Sequence, residues 1–202
     1  MLSISSRASR VALGLAVAVA TLGGGVASAA PTAGDGTSTQ RTEAVTLAGT
    51  RPAFKAPFQC GTQWRGSAWT WSDGHQHSPL KSVDWNWGSG NDDKGKLVRA
   101  SAGGTVEFAG DGAGGYGKMV LIRHGDGWKT RYAHLLVGSL EVSAGQTINQ
   151  GKVIGKVGQS GGQTYSHLHY EQIADGNVVD AVVQGVRFDP NDVHYITSTN
   201  AC

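Results

Sequence analysis

Short β-forming runs broken by glycine set the strongest limit on how this chain can fold. From Phe58 to about Asp192, runs rich in valine, isoleucine and aromatics alternate with glycine-bearing turns. Gly104 to Ala109, Lys118 to Arg123, Trp128 to Ala133 and His167 to Glu171 are examples. Gly125-Asp126-Gly127 and Asp175-Gly176-Asn177 sit between such runs and read as hairpin turns. Glycine supplies 31 of 202 residues, roughly twice the usual share. That suits tight turns and disfavours long helices. No segment after the N-terminal region sustains a 3.6-residue apolar period. The expected fold is all-β: an antiparallel β-sheet or sandwich domain with long loops. It spans residues 57–192, enough chain to bury one core.

The N-terminal residues have a different texture. Arg7 and Arg10 precede an apolar run from Val11 to Leu22, which leads to Gly23-Gly24-Gly25 and then Ala27-Ser28-Ala29. This order of charged, apolar and small residues reads as a secretory signal over residues 1–29. The apolar run falls short of the ~20 residues of a membrane span. The expected product is therefore a secreted protein without a membrane anchor. Residues 30–56 are rich in Ala, Thr, Gly and Pro and read as a linker or short pro-segment. Residues 193–202 read as a C-terminal tail.

Charge excludes some functions. Of 17 basic residues, Arg7 and Arg10 lie in the signal, which leaves 15 against 15 acidic residues. A balanced chain carries no electrostatic footprint for nucleic acid or anionic membrane. Function must reside in a local site. Cys60 and Cys202 are the two cysteines, and in an exported protein they are expected to form one disulfide.

The histidines supply the site. In His167-Leu168-His169 the imidazoles at i and i+2 leave a strand on one face, with Leu168 on the other. Two adjacent imidazoles on an apolar sheet face are costly without partners, and a bound cation would satisfy both. Asp84 lies between Val83 and Trp85, so alternation buries the apolar pair and sends the carboxylate to the opposite face. His75 and His77 lie a few residues upstream. In Tyr132-Ala133-His134-Leu135, the same alternation puts Tyr132 and His134 on one face. A catalytic zinc needs about three protein ligands and an open position for water, and these segments offer the right donors. Five of the six tryptophans cluster, at Trp64, Trp69, Trp71, Trp85 and Trp87; Trp69 and Trp71 would share a face, as would Trp85 and Trp87. Most are expected in the core, with Tyr116 and Tyr165 as candidate walls of a substrate groove. His124 and His194 are expected to be structural. The phrases Val142 to Ile148 and Asn149 to Gly155 are similar to those of small lipoyl-type β-sandwiches, but no lysine sits at a hairpin tip with the matching flanks.

Taken in order, His77, Asp84, Gly115-Tyr116-Gly117, His124-Gly125, Tyr132 to Leu135, Gly151, Ile154-Gly155 and His167 to His169 resemble the lysostaphin-type (M23) metallopeptidases. The resemblance covers nearly all of residues 60–172. It implies Zn2+ held by His77, Asp84 and His169, with His134 and His167 as catalytic histidines. It also implies a secreted metalloendopeptidase that hydrolyses peptide bonds in bacterial peptidoglycan, here expected to be a monomer. Six residues separate His77 from Asp84, a longer spacing similar to the β-lytic protease branch, and His75 stands as the alternative first ligand. Gln163-Thr164-Tyr165-Ser166 departs from the small Gly-Pro phrase usual before the His-x-His pair. A rival reading is a non-catalytic cell-wall binding or regulatory module that keeps the fold; its mark would be a missing ligand or catalytic histidine. A second rival is a zinc hydrolase acting on ordinary proteins or small amides.

Overall fold

Alternation along Val83-Asp84-Trp85 and Leu168-His169-Tyr170 explains how the centre of this protein is built. Val83, Trp85, Leu168 and Tyr170 are all fully buried in one apolar cluster, while the residues between them face the other way. The computed structural model describes residues 49–68 and 79–202. Among these it contains thirteen strands: β1 (Gln63–Ser67), β2 (Val83–Asn86), β3 (Leu97–Arg99), β4 (Gly104–Gly112), β5 (Gly117–Gly125), β6 (Trp128–Leu135), β7 (Thr147–Ile148), β8 (Val153–Lys156), β9 (Leu168–Ala174), β10 (Asn177–Val179), β11 (Val182–Val183), β12 (Val186–Arg187) and β13 (Val193–Thr197). The fold is all-β, as expected.

The main sheet runs β13-β1-β2-β9-β6-β5-β4-β7, with β10 also paired to β9. All of its pairings are antiparallel. The pairs β11-β12 and β3-β8 form two small additional sheets. Both expected hairpins occur. Asp126 and Gly127 (φ 46° and 78°) turn β5 into β6, and Asp175 and Gly176 (φ 48° and 81°) turn β9 into β10. Successive positive φ values match the right-handed strand twist.

Aromatic stacking organises the core. Phe58 lies flat on Trp64, with ring centroids 3.6 Å apart. Trp85 meets Phe58 and Phe188 edge-on at 5.7 and 5.4 Å. Gly66 on β1 makes room for this. A Cβ there would come within 2.9 Å of both the Phe188 and Trp85 rings, closer than carbon atoms pack.

The packed body reaches beyond the segment expected for it. Phe54 and Ala56, in the stretch read as linker, are buried, and Trp128 Nε1 donates to the Gly49 carbonyl at 2.7 Å. On the other side, β13 pairs with β1. Buried Asn200 donates to the carbonyls of Ala56 and Ala100, each at 3.1 Å. Neither segment has a sustained apolar period: isolated anchors hold the first, and in β13 Ile196 alone is buried. Cys60 and Cys202 are joined by a disulfide, as expected. Trp85 and Trp87 part company, contrary to expectation. β2 ends at Asn86, and Trp87 is exposed beneath the Lys96 ammonium, 3.5 Å above its ring.

Candidate active site

Three adjacent strands carry the site. Asp84 on β2 is the cross-strand partner of His169 on β9, and His169 is the partner of Ala133 on β6. Arg131 on β6 faces Glu171 on β9 in the same way. Cross-strand partners share a sheet face, so Asp84, His169, Glu171 and Arg131 all lie opposite the Trp85–Tyr170 core.

His169 stands between two carboxylates. Its Nδ1 is 3.1 Å from Asp84 Oδ1, and its Nε2 is 3.1 Å from Glu171 Oε1. Burial works against charge on this ring, but the hydrogen bonds to Asp84 and Glu171 outweigh it and push His169 up to about 9. Glu171 is fully buried. Burial opposes its charge too, yet His169, Tyr116 and Arg131 together hold it below the usual carboxylate range. Tyr116 donates to Glu171 Oε1 at 2.7 Å and Arg131 donates to Oε2 at 2.7 Å. Arg131 also donates to the Tyr116 hydroxyl at 2.6 Å and lies 4.4 Å over its ring. Burial, and then the neighbouring Glu171, pushes Tyr116 up to about 12, so its hydroxyl remains a donor.

His167 enters just before β9. It is bridged to Gly158, and its Nε2 lies 3.7 Å from Asp84 Oδ2. The preceding residue is clamped. Ser166 N donates to Asn91 Oδ1 at 2.8 Å, and Ser166 Oγ donates to the buried Asp93 carboxylate. Burial raises Asp93 above the ordinary carboxylate value. This clamp ties the β2–β3 connection to the approach of the histidine pair.

His134 reaches the site by a different route from the expected one. Alternation would have placed it with Tyr132, yet Tyr132 and Leu135 both belong to the core. His134 has φ 59°, a left-handed conformation uncommon for a side-chain-bearing residue and often found at functional sites. That reversal breaks the two-residue period and turns the imidazole to the site face. Its ring centroid is 4.8 Å from that of His167 and 5.5 Å from that of His169. Its Nδ1–H can donate to the Ser160 carbonyl at 3.0 Å, and its backbone N–H donates to Tyr116 O at 2.9 Å. Burial, followed by the charges of His167 and His169, holds His134 down to about 4, so it is neutral at ordinary pH.

The Ser160 loop is locked to the β4–β5 turn through backbone. A Cβ on Gly161 (φ 84°) would lie 2.0 Å from Gly115 O, and one on Gly117 (φ 61°) would lie 2.4 Å from the Ser160 carbonyl carbon. Ser160 Oγ accepts from Lys118 N and donates to Leu135 O.

Asp84, His134, His167 and His169 are thus brought together. His77, its alternative His75, and Trp69 and Trp71 lie outside the described residues. Among the described residues alone, no group of three or more His, Cys, Asp or Glu side chains is arranged to hold a metal. The donor chemistry nevertheless fits one: an imidazole nitrogen and a carboxylate oxygen converge, and the other ring nitrogen is already engaged by a carboxylate. Glu171 and Arg131 were missed in the sequence, although two-residue alternation from His169 carried the signal. His124 is structural, bonded to Gly103 O at 2.8 Å and Thr130 Oγ1 at 2.7 Å. His194 lies 3.4 Å from Asp192 and edge-on to Phe188. Lys81 lies 3.9 Å from Asp180, and Tyr165 is exposed.

Known proteins resemble this chain in both sequence and fold. Residues 83–181 match the model of peptidase family M23, a span containing Asp84, His134, His167 and His169. Over 89 residues, 44% of this chain and 20% of the relative, the chain is 46% identical to DD-carboxypeptidase/endopeptidase Mpg of Neisseria meningitidis serogroup B. Over 78 residues, 39% of this chain and 12% of the relative, it is 41% identical to cell division protein DipM of Caulobacter vibrioides. The chain therefore spans a fifth or less of the length of these relatives. Among solved structures it is similar in fold to the M23 metalloprotease pseudoalterin from the deep sea, with TM-score 0.53 and 20% identity over 76% of this chain and 92% of that one. It is also similar to a peptidase M23 from Pseudomonas aeruginosa, with TM-score 0.51 and 23% identity over 67% of this chain and 51% of that one. The matched segment, residues 83–181, is thus that of peptidase family M23, on a fold shared with solved M23 structures.

Proposed function

We propose that this protein is a secreted zinc metalloendopeptidase that hydrolyses peptide bonds in the stem or cross-bridge peptides of bacterial peptidoglycan. The observation that carries the reading is the approach of Asp84 Oδ1 to His169 Nδ1 at 3.1 Å, flanked by the rings of His167 and His134. Asp84 and His169 would hold the metal, with His77 as the third ligand. When bound, zinc lowers the pKa of its water to about 7 and polarises the scissile carbonyl.

The chain's own groups would then handle protons. His134 is neutral at ordinary pH and fixed through Nδ1 to Ser160 O, which leaves Nε2 as the proton acceptor facing the site. His167 lies beside it. Either imidazole can take a proton from the attacking water and, once charged, steady the oxyanion or protonate the leaving amine. The signal over 1–29 would direct export, and the disulfide suits an oxidising compartment. The balanced charge supports an uncharged or mixed-charge peptide substrate over nucleic acid.

The test is to incubate the protein, freed of residues 1–29, with purified peptidoglycan in the presence and absence of a chelator. Zinc-dependent release of new peptide amino termini is the expected result. A protein that binds zinc yet cuts no wall peptide would favour the non-catalytic wall-binding module.

A further inference from the structure

Glu171 is a fully buried carboxylate that the proposed hydrolysis does not itself require. Burying an ion is expensive unless its oxygens are satisfied, and this one is. Oε1 accepts from Tyr116 and lies 3.1 Å from His169 Nε2, while Oε2 accepts from Arg131. Arg131 is itself braced by stacking on Tyr116. Three strands or strand ends thus converge on one carboxylate whose remaining contact is an imidazole nitrogen.

An imidazole has two nitrogens, and the hydrogen bond at one decides which lone pair the other can offer. With Nε2–H committed to Glu171, His169 presents Nδ1 toward Asp84, where the two atoms are 3.1 Å apart. If Nε2 were free, the ring could flip about χ2 and exchange its nitrogens. We propose that Glu171, anchored by Arg131 and Tyr116, is a positioning residue that fixes the orientation and tautomer of His169 so that Nδ1 faces the metal position. This rests on reading Asp84 and His169 as metal ligands. The partners of Glu171 are Tyr116, Arg131 and His169, and its effect on the site passes through His169.

Zinc affinity by chelator competition and the imidazole spectrum of His169, by nitrogen-15 NMR of the full chain, test this together. In Glu171→Gln the near-isosteric amide keeps the packing but loses the charge-assisted bond. Zinc binding should weaken about 10- to 100-fold, and the His169 Nε2–H resonance should move upfield and exchange faster with water. Glu171→Asp keeps the charge beside Arg131 but draws it back from His169, and should show a smaller loss of the same kind. It decides the matter if Glu171→Gln does not fold. Unchanged zinc affinity and an unchanged Nε2–H resonance in a folded variant would overturn the proposal. A wild-type chain that binds no zinc would sink the hydrolase reading. The spectrum of the metal-free protein would then still decide whether Glu171 holds the ring.

Discussion

The two faces of strands β2, β9 and β6 are made from the same residues in alternation, yet they obey opposite rules. On one face Val83, Trp85, Leu168, Tyr170 and Tyr132 pack without exposure. On the other, Asp84, His169, Glu171 and Arg131 form a chain of charge-assisted hydrogen bonds. The apolar face gains from area removed from water and is indifferent to direction. The polar face depends on geometry, because a buried ion displaced from its partner costs several kcal/mol. One layer supplies stability, and the other uses the rigidity so gained to hold chemistry in place.

That contrast can be broken first at His134. His134→Ala should lower turnover on wall peptides by about 10²- to 10⁴-fold while zinc stays bound, as measured by kinetics beside metal analysis. His167→Ala should behave similarly. A variant that loses its metal would show that these histidines belong to the ligand set instead.

The apolar face gives the next effect. Trp85→Ala should destabilise the fold by about 3–5 kcal/mol, read from the denaturant midpoint. Its loss of activity should follow the fraction unfolded. Lost activity in a fully folded sample would mean that the two faces are not separable.

The smallest effect is a pH dependence. His134 titrates at about 4 in the fold, against 6.5 ordinarily, because of burial and then the neighbouring His167 and His169. The unfolded chain therefore binds more protons between these values, and stability must fall as pH drops from about 6.5 to 4. Melting temperatures of the metal-free protein across this window should slope less steeply in His134→Gln. An identical slope would place the titrating group elsewhere.

Much of this was legible in the sequence because period-two alternation is a local property. Asp84 between two core residues and the shared face of His167 and His169 follow from it directly. So does Glu171, two residues beyond His169, although its burial depends on Arg131 from another strand. His134 was legible as a candidate but not in its route, since nothing local to a histidine announces a positive φ. The Ser166–Asp93 clamp joins residues 73 apart, a separation at which periodicity carries no information. The boundaries fared likewise: Phe54 and Asn200 are single anchors without a repeat.

The backbone lock between Gly161 and the Gly115–Gly117 turn bears on how such a site could diversify. Ser160, whose carbonyl faces His134, is held where two loops touch main chain to main chain, with no room for a single carbon. This joint cannot be decorated, since any side chain there would displace the Ser160 carbonyl and with it the histidine. Novelty has to enter around it, at positions such as exposed Tyr165. The position of His134 is thus pinned by two residues that have no side chain at all.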